Sequence, residues 1–257
     1  MKTLTGRSLD FKAKTTNRYW WFTNIKQNYI PPVFSTLSDA EWNLVEEWFR
    51  ETDSRSTAAE ASVPVLSMLQ AFVLGSNITN IVQLGHFEGF STLLLGFMMR
   101  QMGFKKSIFT VDIDPVVSER TQYWVNRANL QEYVKVVVSN SSAPNLPADA
   151  RTYFNSDLNF VFIDSSHQYA HTLEELDLWY PSLTDHGLIA LHDVSEFASQ
   201  YDATLKGGVS KAIKEWSQTR NIPVFILNGK VGAPGHKAGF HDLTYKDGCG
   251  LGLIQKN

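Results

Sequence analysis

Carboxylate and imidazole side chains stand at the ends of three apolar segments of the sequence. Asp112 ends SIFTVD, Asp164 and His167 follow NFVFI, and His192 and Asp193 follow GLIAL. A carboxylate can accept hydrogen bonds from both hydroxyls of a ribose, and an imidazole can take a proton near neutral pH. The pattern therefore predicts a ribose-containing ligand at Asp112 and proton transfer at His167 or His192.

The segment IVQLGHFEGFSTLLLG, residues 81–96, reads as a strand, a glycine turn and a helix. A helix start of this kind can bind a dinucleotide, a nucleotide phosphate or the amino-acid end of S-adenosylmethionine. The spacing G-x-x-x-G-x-S-T matches neither the G-x-G-x-x-G of dinucleotide sites nor the Gly-Lys-Ser/Thr of phosphate loops. Five acids are expected around the pocket mouth: Glu88, Asp112, Asp114, Asp164 and Asp193. A sulfonium cation tolerates these acids better than a pyrophosphate does, which favours S-adenosylmethionine.

Strands and helices alternate from residue 80 onward. The pattern predicts strands at 80–84, 107–112, 134–138, 159–163 and 187–191, and helices at 91–102, 115–128, 170–183 and 207–219. Such alternation predicts a parallel sheet with helices on both faces, whose ligands bind beyond the carboxyl ends of the strands. The last strands, 222–227 and 250–256, have no helical segment between them and predict an antiparallel hairpin at the sheet edge. The fold class is therefore α/β, with a mostly parallel seven-stranded sheet.

The first 60 residues differ from the rest and are interpreted as an N-terminal helical and aromatic extension to a domain at 61–257. A helix is predicted over 35–50, where Ser38 and Glu41 have the spacing of a capping box. The polar segment TDSRSTAAEAS reads as a linker, and a second helix is predicted over 63–75.

The composition excludes several classes of function. The chain has 257 residues, a formal net charge of −3 and a single cysteine, Cys249. A negative net charge argues against a nucleic-acid surface, and no apolar run reaches the roughly 18 residues that a membrane span needs. The N-terminal residues lack the apolar core of a secretory signal, and a single cysteine fits a reducing compartment. We therefore expect a cytoplasmic protein that binds neither nucleic acid nor membrane.

Four segments together resemble one family of proteins. They are VQLGHFEGFST, TVDIDP, FIDSSHQYAHTLEELDLWYPSLTDHGLIALHD and GGVSKAIKEW. The sequence resembles the class I S-adenosylmethionine-dependent methyltransferases, which have a Rossmann-like fold. Within them it is similar to the small-molecule O-methyltransferase group that includes rhamnosyl, antibiotic-sugar and cephalosporin-biosynthesis methyltransferases. The resemblance covers about residues 57–257.

The resemblance implies a set of cofactor-binding residues at the strand ends: Gln83, Gly85, Glu88, Gly89, Ser91, Thr92, Asp112, Asn140, Ser141 and Asp164. The two glycines shape the loop under the methionine moiety, and Ser91 and Thr92 either bind its carboxylate or cap the following helix. Asp112 holds the ribose, Asn140 lies near the adenine, and Asp164 faces the methyl-transfer centre.

Two amides depart from the family pattern. Family members commonly carry an acid where this chain has Gln83, and again where it has Asn140. The acid at the first position usually supports the loop by hydrogen bonds, so the amide predicts a lower cofactor affinity. Glu88, inside the loop, is a candidate to compensate.

Related O-methyltransferases place metal ligands after the fourth and fifth strands, which implies Asp164, His192 and Asp193 here. Magnesium prefers oxygen ligands, and a histidine suits manganese, iron or zinc better. Alternatively, His192 binds no metal and acts as the general base. His167 is the other candidate base, and its alternative roles are to fix the turn after the fourth strand or to bind a metal. The catalytic candidates are thus Asp164, His167 and His192.

The function predicted is transfer of a methyl group to a hydroxyl of a small metabolite, a sugar or another natural product. The alternatives are a non-catalytic subunit that binds S-adenosylmethionine for a partner, favoured by Gln83 and Asn140, and an NAD-type oxidoreductase. The aromatic segment at 19–22 suits either the wall of a substrate pocket or a homodimer interface.

Overall fold

The computed structural model describes residues 31–57, 60–236 and 242–257. Within these residues a single sheet has seven strands in the order β3-β2-β1-β4-β5-β7-β6. The strands are β1 (Ile81–Leu84), β2 (Ile108–Asp112), β3 (Val134–Val138), β4 (Leu158–Ile163), β5 (Leu183–His192), β6 (Val224–Leu227) and β7 (Leu251–Gln255). The helices are α1 (Pro32–Ser35), α2 (Asp39–Arg55), α3 (Val63–Ser76), α4 (Phe90–Met102), α5 (Pro115–Arg127), α6 (Leu146–Phe154), α7 (Tyr169–Ser182) and α8 (Gly208–Arg220), with a 3-10 turn at Ala198–Tyr201.

Strands β1 to β5 are mutually parallel, and β7 pairs antiparallel with both β5 and β6. The predicted antiparallel pair at the C-terminal edge is thereby confirmed, and so is the α/β fold with a mostly parallel sheet. Strand order reverses between β1 and β4, and a crevice at such a reversal is the usual ligand site of open parallel sheets.

Two apolar layers enclose the sheet. Ile81 of β1 packs into the layer that contains α2, α3 and α4, whereas its neighbour Val82 packs into the opposite layer with Trp179 and Trp216. Neighbouring residues of a strand point to opposite faces, so both faces of β1 are buried. The described helices of the N-terminal segment therefore share one core with α4; the division at residues 60 and 61 stays a prediction.

Two local predictions need correction. Helix α6 was not predicted, because it spans only 9 residues and buries few of them. Helix α2 continues to Arg55, into the predicted linker, because Glu51 and Arg55 form an ion pair one turn apart and the buried Thr52 hydroxyl donates to the Trp48 carbonyl. Ser56, in a left-handed conformation, ends it.

The predicted capping box is confirmed: Ser38 Oγ accepts from the Glu41 amide, and the Glu41 carboxylate accepts from the Ser38 amide. The aromatic segment at 19–22 lies outside the described residues. Among the described helices, none is both long and apolar enough to cross a bilayer.

Candidate active site

A cavity of about 540 Å³ opens at the carboxyl ends of β1, β2 and β4. Residues from five segments line it: Trp48, Glu60 and Ala61; Gly85, His86, Phe87, Glu88, Phe90 and Ser91; Val111, Asp112 and Ile113; Asn140 and Ser141; and Asp164, Ser165, Ser166, His167, Gln168 and His171. The cavity thus brings the predicted cofactor loop, Asp112 and the Asp164–His167 segment together.

The loop between β1 and α4 requires its glycines. Gly85 has φ of +84°, and a Cβ there would collide with the Asp164 carbonyl oxygen. Gly89 has φ of +86°, and its Cβ would lie 3.0 Å from Thr121 Oγ1. Both conformations favour glycine. The close approach of Gly85 to Asp164 places the cofactor loop directly beside the predicted reaction centre.

Gln83 supports the loop from below. Its side chain is fully buried, and its amide nitrogen donates to the Gly85 carbonyl (3.0 Å) and to Ser91 Oγ (2.7 Å). Its amide oxygen accepts from Thr92 Oγ1 at 3.0 Å. A carboxylate at this position could accept but could not donate to a carbonyl. The amide therefore suits the hydrogen bonds that this particular loop makes.

Neither Ser91 nor Thr92 caps helix α4. The N-cap residue is Gly89, without a side-chain cap hydrogen bond, and both hydroxyls contact Gln83 instead. The capping interpretation is wrong, because both hydroxyls bond to the Gln83 side chain and neither accepts from a backbone amide of the first turn. Binding of a methionine carboxylate at this helix start stays a prediction.

Asp112 holds the loop from the β2 side. Its Oδ2 atom accepts from the backbone amides of His86 (3.1 Å) and Phe87 (3.0 Å), and its Oδ1 atom accepts from the Asp114 amide at 3.0 Å. Each carboxylate oxygen can accept about two hydrogen bonds, so Oδ1 retains capacity toward the cavity. Asp114 caps α5 by accepting from the Val116 amide, as its position before Pro115 predicts.

Glu88 lines the cavity, but its carboxylate is only 1% exposed and contacts two arginines. Arg55 Nη2 lies 2.7 Å from Oε2 and Arg120 Nη1 lies 2.6 Å from Oε1. Its charge is therefore neutralised within the protein, and it adds no free negative charge at the pocket mouth.

The His86 ring is buried in the protein, where both of its nitrogens contact hydroxyl groups. Its Nδ1 and Nε2 atoms lie 3.1 Å from Thr110 Oγ1 and 2.9 Å from Ser118 Oγ. Burial lowers the pKa of His86 to about 4, opposed by the nearby Asp112 charge. The imidazole is thus neutral at physiological pH.

Two residues that sequence reasoning missed, His171 and Glu175, contact Ser141; His171 lines the cavity, whereas Glu175 does not. Glu175 is fully buried and accepts from Ser141 Oγ (2.5 Å) and Ser165 Oγ (2.9 Å), and it lies 3.3 Å from His171 Nε2. The hydrogen bond to Glu175 raises the pKa of His171 against the effect of burial. The H-x-x-x-E spacing on a helix was the available signal. Asn140 is exposed, and its side-chain oxygen accepts from the Ser142 amide.

At the ends of β4 and β5, imidazoles and carboxylates form one cluster. His167 Nε2 lies 3.0 Å from Asp193 Oδ2 and 3.8 Å from Asp164 Oδ1. His192 Nδ1 lies 3.2 Å from Asp164 Oδ1, and its Nε2 lies 3.2 Å from Asp247 Oδ2. Asp247, from the long loop before β7, was not foreseen, because nothing in its local sequence links it to the strand ends.

The charges of this cluster reinforce one another. Burial opposes ionisation of Asp164, but His192 and His167 hold the pKa of Asp164 well below its ordinary value. Burial likewise opposes protonation of His167, but hydrogen bonds to Asp164 and Asp193 raise the pKa of His167 to about 10. The charges of Asp193, Asp164 and Asp247 also raise the pKa of the buried His192 well above its ordinary value. Both imidazoles are therefore cationic at neutral pH.

Only part of the predicted catalytic set faces the cavity. Asp164 and His167 line it, whereas His192 and Asp193 lie behind them and are buried. His167 and Asp193 adopt left-handed backbone conformations, with φ of +59° and +60°. Such conformations are uncommon outside glycine and cluster at functional sites.

The donor set of the cluster also fits a divalent cation. Ligand atoms of Asp164, His167 and Asp193 lie within 4.8 Å of one another, and so do those of His192, Asp193 and Cys249. The first group shares Asp164 and Asp193 with the predicted set but contributes His167 in place of His192. Two carboxylates and one imidazole suit manganese, iron or zinc.

Comparison with known proteins agrees with this geometry. Residues 82–194 match the model of a family described as a methyltransferase domain. An O-methyltransferase from Bacillus cereus in complex with SAH is similar, with 17% identity, a TM-score of 0.59, and 94% of this chain and 96% of that chain covered. The SAH-bound methyltransferase PaMTH1 of Podospora anserina has 15% identity and a TM-score of 0.57, with 86% and 89% covered. The O-methyltransferase TomG of Streptomyces achromogenes, in complex with SAM, has 15% identity and a TM-score of 0.59, with 88% and 95% covered. No curated protein matches the sequence.

The fold and the matched segment agree with one class of protein. The chain has the Rossmann-like fold of the class I S-adenosylmethionine-dependent methyltransferases, and residues 82–194 match the model of a methyltransferase domain. The predicted fold is thereby confirmed.

Proposed function

We propose that the protein transfers the methyl group of S-adenosylmethionine to a hydroxyl of a small molecule. One observation carries the proposal: a single cavity joins the glycine loop and Asp112 on one side to Asp164 and His167 on the other. The O-methyltransferases from Bacillus cereus and Streptomyces achromogenes, which share this fold, support an oxygen acceptor.

The cofactor would lie across the ends of β1, β2 and β4. Asp112 would accept hydrogen bonds from the ribose, and the start of α4 at Ser91 would receive the methionine carboxylate. Asn140 and Ser141 would flank the adenine, with His171 beside them. The sulfonium would then lie near Asp164, whose carboxylate stabilises a positive charge.

The chemical step is an in-line displacement at the methyl carbon. A bond forms from the acceptor oxygen to this carbon while the carbon–sulfur bond breaks, which leaves S-adenosylhomocysteine. The acceptor hydroxyl also loses its proton, and His167 is the imidazole on the cavity wall that can take it. Its raised pKa means that only the minor, neutral form can act as base at neutral pH.

A divalent cation is a further part of the proposal. Asp164, Asp193 and His167 or His192 would hold it, and it would lower the pKa of the acceptor hydroxyl. The single cysteine supports a reducing, cytoplasmic location. A sugar or another hydroxylated natural product stays the predicted substrate, and a homodimer stays an alternative use of the N-terminal aromatic segment.

Calorimetric titration of the full chain with S-adenosylhomocysteine tests the cofactor assignment. We expect saturable binding, and Asp112→Ala should weaken it about 30-fold, because the ribose loses its acceptor and the loop loses two backbone hydrogen bonds. Asp112→Asn keeps one acceptor oxygen and should bind with intermediate affinity. Unchanged affinity in Asp112→Ala would remove the ribose assignment, and binding of NADH in place of S-adenosylhomocysteine would support the oxidoreductase alternative.

Activity is tested by incubating the protein with S-adenosylmethionine and a panel of hydroxylated sugars and phenols, with chelator or with Mn²⁺ added. Release of S-adenosylhomocysteine with at least one acceptor is the expected result. Tight cofactor binding without release under either condition would favour the non-catalytic subunit.

A further inference from the structure

The cofactor loop contacts the N-terminal helix α2 through its backbone as well as through Glu88. Trp48 is fully buried, and its indole N–H donates to the Glu88 carbonyl at 2.7 Å. Arg55, two turns later on α2, donates from Nη2 to the Glu88 carboxylate. Both Trp48 and Arg55 precede the segment that matches the methyltransferase domain.

The Glu88 carboxylate would be costly to bury without these partners. Its two oxygens contact Arg55 and Arg120, so the side chain connects α2 to α5 through the loop. Removal of one partner of a buried charge leaves the other charge incompletely paired, which costs more than the loss of an exposed ion pair. The conformation of the loop at Glu88 therefore depends on α2.

Aromatic packing continues the connection to α4. Phe90, the first residue of α4, packs against Trp48 with ring centroids 4.8 Å apart and against Phe49 at 5.2 Å. Trp48 and Phe90 both line the cavity. Trp48 thus both holds the end of the loop and forms part of the cavity wall.

We propose that Trp48 and Arg55 are positioning residues of the cofactor site, through which the N-terminal helix sets the affinity for S-adenosylmethionine. The inference rests on the proposed function, because it assigns the loop to the cofactor. It adds that the N-terminal segment completes the cofactor site and does not act only on the substrate side.

The ion pair of Arg127 with Glu47 provides a matched control. It also joins α5 to α2, but both side chains are 46% exposed and neither lines the cavity. A variant Arg127→Met removes an arginine between the same two helices without touching the loop. It should therefore report the effect of weaker helix contacts alone.

The test is the dissociation constant of S-adenosylhomocysteine, measured by calorimetry on the full chain and on Arg55→Met, Trp48→Phe and Arg127→Met, with the melting temperature of each. We expect Arg55→Met to raise the constant about tenfold and Trp48→Phe about threefold, the range that coupled positions usually show. Arg127→Met should bind like the wild type, and Arg55→Lys, which keeps the charge, should restore part of the affinity. Where Arg55→Met does not fold, Trp48→Phe, which retains an aromatic ring, tests the same contact.

A kinetic readout separates positioning from stability. Arg55→Met and Trp48→Phe should each raise KM for S-adenosylmethionine, while kcat at saturating cofactor stays within about twofold of wild type. Wild-type binding together with equal constants in Arg55→Met, Trp48→Phe and Arg127→Met would overturn the inference and leave the proposed function intact. Absence of binding to the wild type would instead overturn the proposed function.

Discussion

The two walls of the cavity hold their imidazoles in opposite charge states. On the cofactor wall, formed by the loop at 85–89 and the end of β2, His86 contacts two hydroxyls and its pKa falls to about 4. On the reaction wall, formed by the ends of β4 and β5, His167 contacts carboxylates and its pKa rises to about 10. Desolvation disfavours the charged form of both rings, so the opposite charge states follow from the partners of each ring.

This difference indicates what each wall does. The polar side chains of the cofactor wall bind its own backbone or one another, as Gln83 and Asp112 do, and thereby keep the loop in one shape. The reaction wall holds three aspartates around His192 and His167, an arrangement that retains a proton or a metal cation. A rigid wall suits cofactor binding, and a wall with a movable positive charge suits proton transfer.

The largest expected effect comes from one substitution that alters the reaction wall and leaves the cofactor wall unchanged. Asp164→Asn removes the carboxylate that links the proposed sulfonium site to both imidazoles and should lower kcat about 1,000-fold. Binding of S-adenosylhomocysteine should change less than threefold, because the cofactor wall is untouched. Rate measurement and calorimetry on the same preparation check the expected kcat and the expected affinity. Asp177→Asn, on the outer surface of α7, is the control. Retained turnover would show that Asp164 has neither a base nor a metal role.

The pH dependence of turnover tests the charge of the reaction wall. With chelator present, kcat should rise about tenfold per pH unit between pH 6 and 9, because the neutral form of His167 grows as pH approaches its pKa of about 10. The same profile on His167→Gln should be flat at a lower rate. A wild-type rate independent of pH in this range would exclude His167 as the base.

Gln83→Glu tests whether the amide is adapted to this loop. The acid common among relatives cannot donate to the Gly85 carbonyl and would add a buried charge. We expect about tenfold weaker S-adenosylhomocysteine binding and a lower melting temperature. Gln83→Met, which has no charge, should also lower stability but should weaken binding less than Gln83→Glu does. Tighter binding by Gln83→Glu than by the wild type would show that the amide is not adapted to this loop.

A further expected effect, on stability and not on binding or turnover, concerns the neutral imidazole of the cofactor wall. A histidine whose pKa is lowered in the folded state contributes stability above its unfolded pKa of about 6.5, and this contribution is lost as pH falls toward 4. The loss should amount to about 3 kcal/mol of unfolding free energy. Denaturant titrations at pH 7 and pH 4 should show a smaller loss in His86→Asn than in wild type, and His186→Asn, at an exposed position of β5, should match wild type. Equal losses in all three would contradict a neutral His86.

The sequence predicts the frame of the molecule more completely than its site. Apolar strands followed by Gly85, Asp112 and Asp164 place these residues at one sheet edge, because parallel strands end at the same side. Contacts such as Trp48 to Glu88 or Asp247 to His192 join segments 40 and 55 residues apart, and no local pattern encodes such pairs. The direction of the Glu88 side chain, toward arginines and away from solvent, likewise depends on tertiary packing.

The most direct test of the central claim is a crystal structure of the protein soaked with S-adenosylhomocysteine. The account predicts ribose hydroxyls at Asp112 Oδ1, the homocysteine carboxylate at the start of α4, and the sulfur atom facing Asp164. A cofactor bound elsewhere, or a ribose that does not contact Asp112, would contradict it.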